Sequence, residues 1–575
     1  MLSANICYNL TKIIQDNIIL KWNINIFYTI TKLDFSLLFG TILLSSLMIL
    51  FVLKYDKEFK LKLNKLKKKM PKEDGSFEYG SSRWATKKEI KDKFKSWIIG
   101  STTKSGGVPV TFLNDKLYYD DSSEHTLIIG STGSGKTICT IMPLIFNLAC
   151  AGESMVINDT KGELYSTTFN YLKSKGYKIK IINLRDALAS DGWNPLHLPY
   201  KYYKDGDIDN AGDLIENFSR SLTKNLSSKD MYWEKSANSV LTALCYALIE
   251  DAPKEEQVNL YSIYTLLVEH GAKTIDRQNS LDLYFQQKPF GNIAKNSYAT
   301  GSFAKGETRA TLFSVLATII KMFSDTGIAN LTSRTDFELD DIGKEKTAVF
   351  LIIPDEKESR HELASLFIDQ CYQALVNTAQ SMKDARMPIR VNFILDEFAN
   401  MPPIKSMSNK ITVSRSRNIR FYLTIQDFDQ LKETYKESAG TIKSNTNLIY
   451  LLTNDNESAK EISARLGKYT ISSSRVSTST RLEQLDYNLS NDKSLIGREL
   501  LMPDELMKFK FGEGLYLKGR MHPIKSKFKP IKEYGFNIKE VSLPKKEKEY
   551  QIECFNLDEY RKAKEKENEE LVDIT

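Results

Sequence analysis

Residues Gly130–Thr137 read GSTGSGKT. The stretch fits the phosphate-loop pattern GxxxxGK[ST] at Gly130, Gly135, Lys136 and Thr137. Glycines let successive backbone N–H groups close around phosphate oxygens. Gly130, Ser131, Thr132, Gly133, Ser134, Gly135, Lys136 and Thr137 are therefore the candidate nucleotide-binding residues. Lys136 offers the phosphates a point charge, and the Thr137 hydroxyl is a suitable ligand for Mg²⁺. The flanks agree with this reading. HTLII before the loop reads as a buried strand, and TICTIMPLIFNLA after it as an apolar helix whose N-terminus faces the phosphates. ATP and Mg²⁺ are the expected cofactors.

Outward from the loop, SMVINDTKGELY (Ser154–Tyr165) and YKIKIINL (Tyr177–Leu184) supply two further buried strands. Strand and helix alternate at a spacing that predicts a parallel sheet with crossover helices. From about Leu198 to Asn330 the pattern turns helical, as in MYWEKSANSVLTALCYALIE and GETRATLFSVLATIIKMF. That block reads as an all-α domain inserted into an α/β domain. Strand signals resume at KTAVFLIIP (Lys346–Pro354), VNFILDE (Val391–Glu397), NIRFYLTIQ (Asn418–Gln426) and TNLIYLLT (Thr446–Thr453). Before the loop, GSSRWATKKEI predicts a short entry element and GGVPVTFLNDKLYY a hairpin.

FILDE, Phe393–Glu397, completes the chemistry. An apolar strand ending in acid places Asp396 at the C-terminal edge of the sheet, where it holds Mg²⁺ directly or through water. Glu397 then orients or deprotonates the attacking water. A second carboxylate beside the metal ligand favours hydrolysis over nucleotide binding alone. SRSRNIR (Ser414–Arg420) precedes the strand that ends in Gln426. Arg415 or Arg417 is placed to reach a neighbouring subunit's γ-phosphate in a ring, and Gln426 to sense the γ-phosphate. The bland readings are a solvated basic loop and an ordinary polar strand end.

The N-terminal region has a different character. Phe35–Leu53 carries no charge and is close to the length that spans a bilayer. Lys54–Lys69 follows with eight lysines, which puts the C-terminal side in the cytoplasm. Asn17–Ile30 is compatible with a second span or an interfacial segment. The six cysteines contain no CxxC pair and the five histidines are dispersed, so neither a zinc site nor a disulfide framework is expected. The net charge of +7 suits polyanion contact without demanding it. Lys468–Ser494 is rich in Ser and Thr and reads as an exposed mobile loop. The chain ends in YRKAKEKENEELVDIT, compatible with a solvated helix or a disordered tail.

The motifs GSSRWATKKE, HTLIIGSTGSGKT, the helix containing Pro143, VINDTKGELY, WNPL, YWEKSA, FILDEFANMPPI, SRSRNIRFYLTIQDFDQL and RELLMPDEL run in order through most of residues 80–520. In these the chain resembles the TraG-like type IV coupling proteins, membrane-bound ATPases of conjugative transfer and type IV secretion. The resemblance implies an α/β fold: a RecA-like P-loop ATPase domain, an inserted all-α domain and an N-terminal transmembrane helix. The corresponding domains are 1–70 (membrane anchor with its basic run), 71–197 and 331–535 (the two parts of the RecA-like domain), 198–330 (all-α) and 536–575 (charged tail). It implies a homo-hexamer at the bacterial cell membrane with its bulk in the cytoplasm. Implied partners are single-stranded DNA, relaxase nucleoprotein and type IV secretion channel proteins. By motif position Arg415 falls at the family's arginine finger. The inserted domain is expected to meet cargo, with Arg220, Lys224, Lys229 and Lys235 for phosphates and Tyr232 and Trp233 for stacking or docking. Two other functions stand beside this one: a nucleotide-dependent cargo receptor that does not pump, and a septal-type double-stranded DNA translocase.

Overall fold

The computed structural model describes residues 43–50, 54, 72–73, 77–224, 231–275, 277–303, 306–354, 360–480, 487–545 and 551–574. The chain divides into two compact units, Gly80–Tyr469 with Arg498–Thr575, and Met1–Tyr79 with Thr470–Gly497.

The larger unit is built on a nine-stranded sheet. Its strands are β1 (His125–Gly130), β2 (Ser154–Asp159), β3 (Lys178–Asn183), β4 (Thr347–Ile352), β5 (Val391–Leu395), β6 (Ile419–Ile425), β7 (Thr446–Leu452), β8 (Glu513–Leu517) and β9 (Ile524–Lys527). Their spatial order is β9-β8-β7-β1-β6-β5-β2-β4-β3. Seven strands, β1 to β7, pair in parallel, whereas β8 and β9 close one edge antiparallel. The strands β1, β2, β4, β5 and β6 are buried along their whole length. That follows from helices on both faces, which leave no solvated side and therefore no polar alternation. Successive residues feed two separate cores. Leu127, Ile129, Val156, Leu351, Phe393 and Phe421 pack on one face. Ile128, Met155, Ile157, Phe350, Ile394 and Tyr422 pack on the other.

The helices that matter for the site are α1 (Met142–Ala151), α2 (Glu163–Ser174), α3 (Ile208–Thr223), α4 (Met231–Asp251), α5 (Leu260–Gly271), α6 (Glu307–Ile320), α7 (His361–Ser381), α8 (Met407–Val413), α9 (Phe428–Tyr435) and α10 (Leu557–Ile574). Helices α3 to α6 lie in the chain between β3 and β4, and their apolar faces join the first of the two cores. The turn before α1, Lys136–Ile141, is π-helical. Pro143 explains it: the ring has no N–H for the carbonyl four residues back and would collide with it, so the helix widens there.

The entry element is a short helix, Lys87–Lys93, closed by a capping box between Thr86 and Glu89. The hairpin follows as strands Val108–Leu113 and Lys116–Asp120, joined by Asn114 and Asp115 at φ 48° and 58°. Two left-handed residues in a two-residue loop match the twist of the strands they connect.

One expectation changes, and of the two readings of the tail the helix stands. The Ser/Thr-rich segment was expected as a loop, but Lys468–Thr480 and Tyr487–Glu499 are long strands in a three-stranded sheet with Lys72–Glu73. Val and Thr alternate with serine in SSSRVSTST, and β-branched residues favour extended backbone where serine content alone signals a loop. The tail is a helix whose start is anchored. Phe555 and Leu557 are buried, the Phe555 N–H donates to Ser262 Oγ at 3.0 Å, and Arg561 Nη2 donates to the Ser280 carbonyl at 2.8 Å. The tail thus docks on α5 and its neighbours.

Of the expected membrane span, Leu43–Leu50 is helical with exposed apolar side chains such as Leu44 and Met48. The rest of Phe35–Leu53, the segment Asn17–Ile30 and nearly all of the lysine run lie outside the described residues. Among the described residues no single helix is long and apolar enough to cross a membrane. The pair Glu307–Ser324 and Thr326–Thr332, bent by 84°, passes by length and composition. Its Leu312, Leu316, Ile320, Phe323 and Ile328 are buried in the protein core, which accounts for its apolar character.

Candidate nucleotide site

β6 lies between β1 and β5 in the sheet. Parallel strands bring their C-terminal ends to one edge, so Gly130 after β1, Gln426 after β6 and Asp396–Glu397 after β5 converge there. Thr137 Oγ1 donates to Asp396 Oδ2 at 3.2 Å. Lys136 is buried, its Nζ donates to the Gly130 carbonyl, and it stands 4.0 Å from Glu397 Oε1. Gln426 Nε2 donates to Glu397 Oε2 at 3.4 Å.

The loop's own geometry fits a phosphate chain. Gly135 has φ +91°, and a Cβ there would meet the Phe511 ring at 2.9 Å. A Cβ on Gly130 would collide with Ser134 Oγ. Ser134 Oγ is buried and has no hydrogen-bond partner among the described residues. A buried orphan hydroxyl is costly in a finished core and natural in a ligand cradle. The Thr137 hydroxyl facing the Asp396 carboxylate is the oxygen pair that a hard divalent cation takes. The residues present therefore fit a nucleotide with Mg²⁺.

The acidic pair is held by residues the sequence reading did not single out. Thr424 Oγ1 donates to Asp396 Oδ1 at 2.5 Å and accepts from the Glu397 N–H at 2.9 Å. Asn158 Nδ2 donates to the Asp396 carbonyl at 2.5 Å. Glu397 itself adopts φ 52°, ψ 42°. A non-glycine residue in the left-handed region costs about 1–2 kcal/mol, and here the kink turns the second carboxylate toward the loop instead of along the strand. Thr424 was legible in principle: it sits two residues before Gln426, hence on the same strand face. Asn158 is the polar residue inside an otherwise apolar strand. Beside it, burial first, and then the Asp396 charge, push the Asp159 carboxyl up to about 6, against N–H donors of Tyr165, Leu164 and Gly162.

Around Glu397 the hydrogen bonds form a closed circuit. Asn400 Nδ2 donates to Glu397 Oε2 at 2.9 Å, Gln430 Nε2 donates to Asn400 Oδ1, the Gln426 N–H donates to Gln430 Oε1 at 3.1 Å, and Gln426 returns to Glu397. Both Asn400 and Gln426 hold Oε2, which leaves Oε1 facing Lys136.

Arg415 and Arg417 are not in this cluster. They form a short turn, Ser414–Arg417, before the other end of β6. The seven residues of β6 separate them from Gln426, roughly 20 Å at about 3.3 Å per residue. The strand is adjacent to the acidic pair's, but Arg415 cannot reach the phosphate loop of its own chain. It is exposed. Its turn is fixed by His125, whose Nδ1 accepts the Phe421 N–H at 3.0 Å and whose Nε2 donates to the Ile411 carbonyl at 2.8 Å. Burial, aided by the Arg415 and Arg420 charges, pushes the His125 pKa down to about 4, so the ring is neutral as these bonds require.

In the inserted helices, Arg220 pairs with Glu216 at 2.6 Å, Tyr232 is exposed beside Trp233 at 5.5 Å between ring centroids, and Trp233 packs against the core. Lys235 is exposed, and Lys229 lies outside the described residues.

Sheet order, loop and acidic pair define a phosphate-loop nucleotide-binding protein of the α/β class. The family model for type IV secretory system conjugative DNA transfer matches residues 83–532, and the chain belongs to that family. It is similar to the conjugal transfer protein TraG of Escherichia coli, 26% identical over 467 residues covering 75% of this chain and 71% of TraG. It is also similar to protein VirD4 of Rhizobium rhizogenes, 23% identical over 450 residues covering 74% of this chain and 62% of VirD4. In fold it is similar to the plasmid coupling protein TrwB in complex with the non-hydrolysable ATP analogue ADPNP: TM-score 0.55, 16% identity, covering 80% of this chain and 97% of TrwB. A structure of TrwB with ADP and Mg²⁺ gives a TM-score of 0.52 at 15% identity, covering 76% of this chain and 94% of that one.

Proposed function

We propose that this protein is the membrane-anchored coupling ATPase of a conjugative type IV secretion system. It hydrolyses ATP and drives single-stranded DNA or its nucleoprotein complex into the channel, acting as a homo-hexamer with Phe35–Leu53 in the bacterial cell membrane and the bulk in the cytoplasm. The observation that carries the reading is the meeting of Lys136, Thr137, Asp396 and Glu397 at one sheet edge, with Glu397 Oε1 4.0 Å from Lys136 Nζ. A chain that only bound nucleotide would need the first three.

Bound ATP with Mg²⁺ supplies the phosphoanhydride and the Lewis acid that polarises it. The loop amides from Ser131 to Thr137 and the Ser134 hydroxyl bind phosphate oxygens. Lys136 neutralises their charge, and Thr137 with Asp396 holds the cation. Glu397 Oε1 takes a proton from, or orients, the attacking water. Gln426 reports on the terminal phosphate, because its side chain already bridges toward Glu397. Arg415, about 20 Å away along β6 by the strand rise, acts on the phosphates of a neighbouring subunit, and a ring supplies that geometry. The test is turnover by the full chain in detergent with and without single-stranded DNA. Turnover that rises with DNA is expected; binding of nucleotide without turnover under either condition would reduce the chain to a cargo receptor.

A further inference from the structure

Between Glu397 and β6 the backbone makes a detour away from the sheet. It runs through Phe398–Asn400 and the two prolines Pro402 and Pro403 to Lys405. There it meets the ends of α3 and α9 around a second pocket of about 380 Å³, separate from the nucleotide site. Lys224, Lys405 and Lys436 line it together with Ser406, Thr434 and Ser438, and no carboxylate is among its lining residues. None of the three lysines forms an ion pair with a described residue. Lys405 Nζ donates to Asn217 Oδ1, a neutral acceptor. Burial, then the field of Arg220, holds the Lys405 pKa below its ordinary value, against the opposing charges of Asp369 and Glu216. The backbone at two of the lining residues is also unusual: Ser406 has φ 50° and Lys436 φ 47°. Three lysines without an ion-pair partner, converging on a concave space whose own lining holds no carboxylate, match an anion with several charges spaced along it, although Glu234, Glu362 and Asp369 line the adjoining space that shares Lys224 and Lys405; lysines contact phosphates as point charges.

The pocket is tied to the catalytic carboxylate by α9. At its C-terminal end, Tyr435 OH accepts the Ile404 N–H at 3.2 Å, Thr434 Oγ1 donates to the Ala399 carbonyl at 2.9 Å, and the Tyr435 ring stacks on Phe398 with centroids 4.7 Å apart. Near its N-terminal end, Gln430 donates to Asn400, whose amide holds Glu397 Oε2. The helix therefore touches the lysine pocket through Lys436 and the circuit around Glu397 through Gln430.

We propose that Lys224, Lys405 and Lys436 bind successive backbone phosphates of the transferred DNA strand, and that α9 conveys their occupancy to Glu397 by loosening the grip of Asn400. The proposal rests on the reading of this chain as a DNA-handling ATPase and adds where the strand is felt. It makes Asn400 a positioning residue: with the amide in place Glu397 is restrained, and movement of α9 on strand binding frees it to face water.

The experiment measures binding of a fluorescein-labelled oligo(dT) to the full chain in detergent, over a series of salt concentrations. Lys405→Ala with Lys436→Ala should weaken binding about tenfold or more. Each lost phosphate contact on a single strand removes about 0.7 from the slope of log K against log salt, so the slope should flatten by about 1.4. The double arginine variant should restore both, which separates lost charge from lost folding. Asn400→Ala should raise turnover without DNA and shrink the ratio of DNA-stimulated to basal turnover. An unchanged slope in the double alanine variant, or oligo(dT) binding absent from the wild type, overturns the strand site. Loss of binding to phosphatidylglycerol vesicles, or of competition by inorganic phosphate, with the DNA slope intact, assigns the lysines to another phosphate source and also overturns it. Unaltered basal and stimulated turnover in Asn400→Ala overturns the link to Glu397. A wild type that binds oligo(dT) with the expected slope yet hydrolyses no ATP would sink the motor reading and leave the strand site standing.

Discussion

The two edges of the central sheet are built to opposite rules. At the C-terminal edge, polar groups are close but incompletely satisfied. Ser134 Oγ has no partner among the described residues, Glu397 sits in a left-handed conformation, and Lys136 spends its charge on a loop carbonyl. At the N-terminal edge, a buried cation is held by four hydrogen bonds. Arg420 is 1% exposed and gives hydrogen bonds to Asn392 Oδ1, the carbonyls of Ser122 and Gly106, and Glu153 Oε2 at 2.6 Å. Glu153 in turn accepts the Gly106 N–H and an amide of Asn392. A buried ion pair with four of its five guanidinium N–H donors placed holds strands in register; an edge with orphan groups waits for a ligand. Arg415 breaks the pattern. It stands at the structural edge, exposed, five residues from Arg420, with its turn pinned by His125.

That exception gives the largest expected effect. Arg415→Ala should cut turnover about 10³-fold or more, as loss of an arginine finger does, while the affinity for a fluorescent ATP analogue holds. Mixed with Lys136→Ala, it should regain activity, since one interface then carries both a sound loop and a sound arginine. No regain at ratios where mixed assembly is verified would return Arg415 to the structural edge.

Glu397→Gln comes next. On the proposed role, turnover should fall about 10²–10⁴-fold because water would lose the carboxylate that orients or deprotonates it, with nucleotide still bound. Near-normal turnover would remove Glu397 from the chemistry and leave its backbone kink unexplained.

Arg420→Ala tests the other side of the comparison. Leaving buried Glu153 with only the longer contact to Arg390, at 3.5 Å, should cost about 3 kcal/mol, read as a lower denaturant midpoint, with ATP affinity per folded molecule unchanged. Should affinity fall while the midpoint stays put, the two edges are not separable in this way.

The smallest effect is a pH dependence. His125 has its folded pKa held at about 4, against an ordinary value of 6.5. Its contribution to stability is present above 6.5 and is lost as pH falls toward 4. Between pH 7 and pH 5 that amounts to about 2 kcal/mol. Asp159, raised to about 6, favours the folded state as pH falls and so works in the other direction. The informative quantity is therefore the difference between wild type and His125→Gln. Melting curves of the two should converge at pH 5 and separate at pH 7; a constant gap would mean that His125 does not titrate in this window.

Sequence alone determined the nucleotide loop, the strand-helix alternation and the acidic strand end. Each is a local pattern: GSTGSGKT is a conformational demand on consecutive residues, and FILDE joins burial to charge within one strand. It also located the helical block between β3 and β4, because periodicity is read within a helix. What it could not order was the sheet. Only the tertiary structure placed β6 between β1 and β5, and that single insertion brings Gln426 and Thr424 to the acids while sending Arg415 to the far edge. The hydrogen-bond circuit through Asn400 and Gln430, the docking of the tail by Phe555, and the convergence of Lys224, Lys405 and Lys436 have the same cause. Their members are distant in the chain, and no local propensity records which separate segments must share one buried surface to exclude water.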